Sequence, residues 1–98
     1  MKKMSMVRFK PKPGQFENFL NELTKYHENG AMGIEDKWFL RNGDELIAVV
    51  IRDDQEFTQS VEAGVSWLDG VRHMLEEFND EDRHTIPLTG VVINQGDA

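Results

Sequence analysis

Cysteine is missing from this chain. Disulfides, thiolate catalysis and cysteine-ligated zinc or iron–sulfur centres are excluded with it. Basic residues are few beside acids, 11 against 18, for a net charge of −7. A phosphate backbone is held by a cationic surface, so nucleic acid is not an expected partner. No stretch approaches the ~20 apolar residues that cross a bilayer, and a membrane is not expected either. In "MKKMSMVRFKPKPG", residues 1–14, charge and proline interrupt the apolar pattern before a signal-peptide core can form. A cytoplasmic location is the expectation. Local metal-ligand spacing is also lacking. His27, His73 and His84 stand in neither HxH nor HExxH spacing, and "DED" at 80–82 lacks the glycine and distal glutamate of a calcium loop. There is no glycine-rich phosphate loop, and Ser5, Ser60 and Ser66 have no nucleophile-elbow context. No metal and no cofactor are expected.

What is present suits one folded domain over residues 1–98, the length of a single core. The positive charge is concentrated at the start, in Lys2, Lys3, Arg8, Lys10 and Lys12, whereas Asp53 to Asp82 carries ten acids against one arginine. "MSMVRFK" alternates like a strand, with Val7 and Phe9 on one face and Met4, Met6 and Arg8 on the other. "PKPG" then ends it. In "QFENFLNELTKYH" the residues Phe16, Phe19, Leu20, Leu23 and Tyr26 form a helical stripe. "HENGAMG" reads as a loop. "IEDKWFL" and "ELIAVVI" flank "RNGD", a hairpin signal in which Asn42-Gly43 would take the positive φ of a type I′ turn. In the second of these strands Ile47, Val49 and Ile51 fill one face, and Leu46, Ala48 and Val50 the other. A strand apolar on both sides needs cover on both sides.

Asp53 and Glu56 offer a capping box for the next helical segment, which Gly64 and Ser66 could interrupt, with Ser66 and Asp69 offering a second start. "TIPLTGVVI" reads as the last strand, with Pro87 favouring an edge and Gly90 suggesting a bulge. The order strand, helix, strand, strand, helix, strand predicts an α+β, ferredoxin-like βαββαβ sandwich: a four-stranded antiparallel sheet with two helices on one face. The uncovered face calls for a partner. A second copy, sheet against sheet, is the expected one.

In the second helix, read as running on through "SWLDGVRHMLEEF", Val61, Val65, Leu68, Val71, Leu75 and Phe78 make the core stripe, with Trp67 and Met74 on its flank. His73 falls about 140° from Leu68 and about 120° from Trp67 on the helical wheel, so Trp67 and His73 do not form a catalytic pair. Asp69 and Glu77 are spaced to pair with a solvated His73. His27, near the end of the first helix, suits a cation there. Three residues are candidates for a ligand pocket. Trp38, sharing a strand face with Ile34 and Leu40, and Trp67 could wall a cleft between sheet and helices. Arg8, alternating with Met4 and Met6, could meet a ligand carboxylate.

The strand ending in "KPG" before an amphipathic helix, the hairpin strand "LIAVVIRDDQEF" leading into helix, "SWLDGVRHMLEEF" and the returning "TIPLTGVVI" together resemble the dimeric α/β-barrel superfamily. Its antibiotic biosynthesis monooxygenase-like (ABM-like) domains are the closest in pattern. The resemblance covers nearly the whole chain and implies a homodimer whose sheets pack into an α/β barrel, each protomer with a cavity between sheet and helices. In such relatives the cavity hosts cofactor-free oxygenation of aromatic polyketides, haem degradation, isomerisation, or no identified activity. Many relatives carry a histidine-bearing motif near the start of the second helix. Here that place reads "VSWLDG", and the outward His73 counts against haem ligation. Two functions follow as expectations: a small-molecule-binding domain, or a cofactor-free monooxygenase or isomerase. Its small aromatic ligand would lie between Trp38 and Trp67, with Arg8 as anion clamp.

Overall fold

The computed structural model describes residues 2–28, 34–53 and 57–94. The elements run β1 (Lys2–Phe9), α1 (Phe16–Glu28), β2 (Ile34–Asn42), β3 (Glu45–Asp53), α2 (Phe57–Asp69) and β4 (Thr85–Val91). All strand pairs are antiparallel, in the order β2-β3-β1-β4. This is the expected ferredoxin-like sheet with two helices on one face. The predicted loop over residues 29–33, and Glu56 of the predicted capping box, lie outside the described residues.

Alternation puts Val7 and Phe9 of β1 and Leu46, Ala48 and Val50 of β3 on the covered face. The α1 stripe closes on them through Phe19 and Leu23, both fully buried. Leu68, Val71, Met74 and Leu75 complete the core. The opposite face of the sheet carries Met4, Met6, Trp38, Leu40, Ile47, Val49, Ile51, Ile86 and Leu88, as the strand registers dictate.

Four local expectations are corrected. The hairpin turns one residue later than "NG" implies. Asn42 pairs with Glu45, and only Gly43 of the turn has a positive φ, +63°, the pattern of a type II′ turn with glycine first. The bulge lies not at Gly90, which pairs in register with Met4, but in β2 between Ile34 and Asp36. That extra residue turns Ile34 to the covered face, so it does not share a face with Trp38 and Leu40. The second helix passes through Gly64 and Ser66 without a break, and it ends at Asp69.

The last correction follows from that ending. Gly70 and Val71 bond back three residues to Trp67 and Leu68, tightening the terminus, and Arg72–Met74 form a short 3₁₀ turn. The chain then extends, and Leu75 bridges Pro11. Lys12 N–H donates to Met74 C=O and Glu76 N–H to Lys10 C=O, at 2.9 and 2.7 Å. In such a bridge the paired residues themselves exchange no bond, so the missing N–H of Pro11 costs nothing. The wheel therefore does not extend past Gly70. His73 is nonetheless exposed, while Asp69 pairs with Arg72 at 2.8 Å and Glu77 lies by Arg83 and His84.

Candidate functional site

A cavity of about 350 Å³ lies between the covered sheet face and the helices. Its floor is Val7 and Phe9 of β1 with Ala48 and Val50 of β3. One wall is α1, through Leu23, Tyr26 and His27; the roof is α2, through Val61, Gly64, Val65, Trp67 and Leu68. Val61 and Val65 were expected in the core but stay substantially exposed, because the space beneath them is open rather than filled. Gly64 contributes to the same opening: a β-carbon built there meets nothing within 4 Å.

The aromatic residues form a continuous series along this space. Phe9 meets Phe19 at 4.9 Å between centroids, Phe19 meets Trp67 at 5.8 Å, and Trp67 stacks on Tyr26 at 5.0 Å and 24°. His27 continues it, edge-on to Tyr26 at 5.4 Å and to Phe39 at 5.2 Å. Such faces give a flat ligand contact at low conformational cost.

Polar groups gather at one end. Ser5 of β1 is directly opposite Thr89 of β4, and their hydroxyls bond at 2.8 Å. From β3, Arg52 donates through Nη1 to Ser5 Oγ at 3.2 Å. Burial pushes Arg52 down from its ordinary value, with Tyr26 opposing, yet an arginine stays protonated at any working pH. Burial likewise raises Tyr26, and the guanidinium of Arg52 counters it. His27 is lowered to about 4, first by burial and then by the charges of Lys37 and Arg52. The expected helix-end cation is thus a neutral imidazole at pH 7, since desolvation outweighs the attraction of the helix terminus. Its Nδ1 is buried and has no hydrogen-bond partner among the described residues.

Of the three residues expected at a pocket, the structure brings one to this cavity. Trp67 lines it; Trp38 and Arg8 do not. Both lie on the opposite sheet face, Trp38 because the register running back from the hairpin pair Asn42–Glu45 sets it opposite Val49. Arg8 holds Glu45 with two bonds of 2.7 and 2.9 Å and lies 5.2 Å over the Phe78 ring. His84 is buried beside Arg72, bonded at 3.2 Å, and faces away from the cavity. Sequence reading gave Ser5, Tyr26 and His27 no place at a pocket and passed over Arg52. A signal existed for Arg52: the alternation Leu46, Ala48, Val50 continues to it, placing a cation on a core face. Among the described residues no group of histidine and carboxylate side chains could hold a metal, and no helix is long and apolar enough to cross a membrane.

No protein-family model matches the sequence, and no curated protein is similar to it. Solved structures do match in shape. Rv0793 from Mycobacterium tuberculosis superposes with a TM-score of 0.70 at 11% identity, over 99% of this chain and all of that one. A candidate antibiotic biosynthesis monooxygenase from Nitrosomonas europaea gives 0.71 at 12% identity, over 94% and 99% of the two chains. Another such protein, from Chloroflexus aurantiacus J-10-fl, gives 0.70 at 9% identity, over 99% and 98%. The chain shares the ferredoxin-like fold of these structures. At these identities the likeness extends to architecture alone, and one ABM-like fold hosts many functions. The functional reading therefore comes from the cavity.

Proposed function

We propose that this protein is a small-molecule-binding domain of the ABM-like fold, dimeric through its open sheet face, with a small aromatic ligand in the cavity. The partly open space of about 350 Å³, mostly apolar in its lining and with Arg52, Ser5 and Thr89 together at one end, carries this reading. Specific ligand pockets have this build: mostly apolar walls with a few placed polar groups. The dimer rests on the apolar open face, where Met4, Met6, Trp38 and Leu40 stay exposed in the single chain. An isologous contact would cover both copies of that face at once.

The alternative is cofactor-free oxygenation or isomerisation of a small aromatic substrate. One observation favours it: a neutral His27 beside the cavity, able to take a proton from an acidic ligand, with Arg52 near to hold the resulting anion. The binding reading is preferred because, among the described residues, His27 Nδ1 has no hydrogen-bond partner that would orient the ring or relay its proton.

Native mass spectrometry of the purified wild type beside Gly64→Leu tests the binding reading. The wild type is expected as a dimer with an extra mass released on denaturation. Gly64→Leu, whose side chain enters the open space, is expected as a dimer without it. A bare wild-type dimer would sink the cavity reading, and a bare monomer would sink the dimer as well.

A further inference from the structure

We propose that the polar end of the cavity receives the anionic oxygen of an amphiphilic acid, a carboxylate or phenolate on a flat apolar body, with Arg52, Ser5 and Thr89 as the receiving groups. This rests on the cavity reading above and adds the ligand's charge to it.

The three residues come from three adjacent strands, β3, β1 and β4: Ser5 and Thr89 lie directly opposite each other, and Arg52, opposite Lys3 and one step diagonal to Ser5, completes a slanted row through its side chain. The row is rigid, since each residue sits within a hydrogen-bonded ladder rather than on a loop. Ser5 Oγ accepts from Arg52 and bonds Thr89 Oγ1. When Ser5 is the donor in that pair, the Thr89 hydroxyl proton is free to point at a ligand oxygen in the cavity it lines. The cavity wall contains a guanidinium and no carboxylate among the described residues.

The electrostatics of the neighbouring groups agree. Arg52 and Lys37 both disfavour a proton on His27, and Arg52 favours the phenolate of Tyr26. Among the described residues the charges acting on these two groups are positive, which favours an incoming anion over a cation. Charge-assisted hydrogen bonds in a site of low dielectric are the strong ones. The other end accepts the body of the ligand: Trp67 and Tyr26 present stacked rings, and Val7, Ala48 and Val50 an aliphatic floor.

Isothermal titration calorimetry with two probes of matched shape, 2-naphthoate and the uncharged 2-naphthamide, decides the matter. The wild type is expected to bind naphthoate about tenfold or more tightly than naphthamide, the scale of one charged hydrogen bond. Arg52→Met should bring naphthoate down to the naphthamide level and leave naphthamide unchanged. Gly64→Leu should lose both probes. Thr89→Val is the second variant should Arg52→Met fail to fold, and a selective, severalfold loss for naphthoate is expected. Equal affinity of the wild type for both probes would overturn the acid preference and leave the cavity reading standing. Failure of both to bind would overturn both, and naphthoate binding that survives Gly64→Leu would place the anion elsewhere and overturn the assignment.

Discussion

The two faces of the sheet are made by the same four strands and carry the same kinds of side chain, yet they meet different fates. On the covered face Leu46 is 1% exposed and the α1 residue Phe19 packed over it is 0% exposed. On the open face Trp38 is 46% exposed and Leu88 69%. Chain composition does not separate them, since β3 offers Ile47, Val49 and Ile51 to one side and Leu46, Ala48 and Val50 to the other. The difference is connectivity: the crossover helices of a split βαβ unit land on one side of the sheet. The covered face is therefore complete within one chain, while the open face is an apolar patch of the kind that marks an interaction surface. The polar row of Arg52, Ser5 and Thr89 lies on the complete side, and the ion pair of Arg8 with Glu45 on the incomplete one.

The sharpest way to break this comparison is to remove one large aromatic residue from each side. Phe19→Ala should cost about 3–5 kcal/mol, a large part of a domain's stability, and read as a collapse of the thermal midpoint. Trp38→Glu should leave the far-ultraviolet circular dichroism of the chain intact and, on the proposed dimer, shift its mass in light scattering to that of a monomer. If Trp38→Glu unfolds the chain as Phe19→Ala does, the two faces are not independent.

The sequence made one side of this comparison far more legible than the other. Period-two alternation identified the covered faces of β1 and β3, and period-3.6 spacing identified α1, because both patterns report burial directly. The helix end at Gly70 was missed because the apolar spacing of Val71, Met74 and Leu75 continues past it. A 3₁₀ turn and a bridge to Pro11 bury those residues just as a helix would. Ile34 was put on the wrong face because a bulge shifts register without any residue type that announces it. The site suffered most. Trp67 could be read from the helix pattern, but the row of Ser5, Thr89 and Arg52 joins residues 84 and 47 positions apart, and nothing local in the sequence couples them.

A second, smaller test uses pH. His27 has a folded value of about 4 against an ordinary 6.5. Between those values the unfolded chain binds the extra proton, so stability rises with pH across the window and is fully present above about 6.5. Going from pH 7 to pH 4 should lower the urea midpoint, and His27→Phe should flatten that part of the profile. Equal profiles for His27→Phe and wild type would remove the imidazole from the cavity wall.

The smallest expected effect concerns Gly64. Glycine within a helix costs about 0.5–1 kcal/mol relative to alanine, through backbone entropy. Nothing in the packing repays that here, since a β-carbon at Gly64 has no neighbour within 4 Å, and the helix runs through it unbroken. Gly64→Ala should therefore raise the thermal midpoint by several degrees, on the scale of about 4–8 °C per kcal/mol for a domain of this size. Gly43→Ala should do the opposite, although its surroundings are equally open, because its φ of +63° strains any residue with a β-carbon. A fall in the midpoint for Gly64→Ala would mean that the space above the cavity is closed. A rise would mean that α2 forgoes helix stability at a position where the space has room for a side chain, room that the proposed ligand would use.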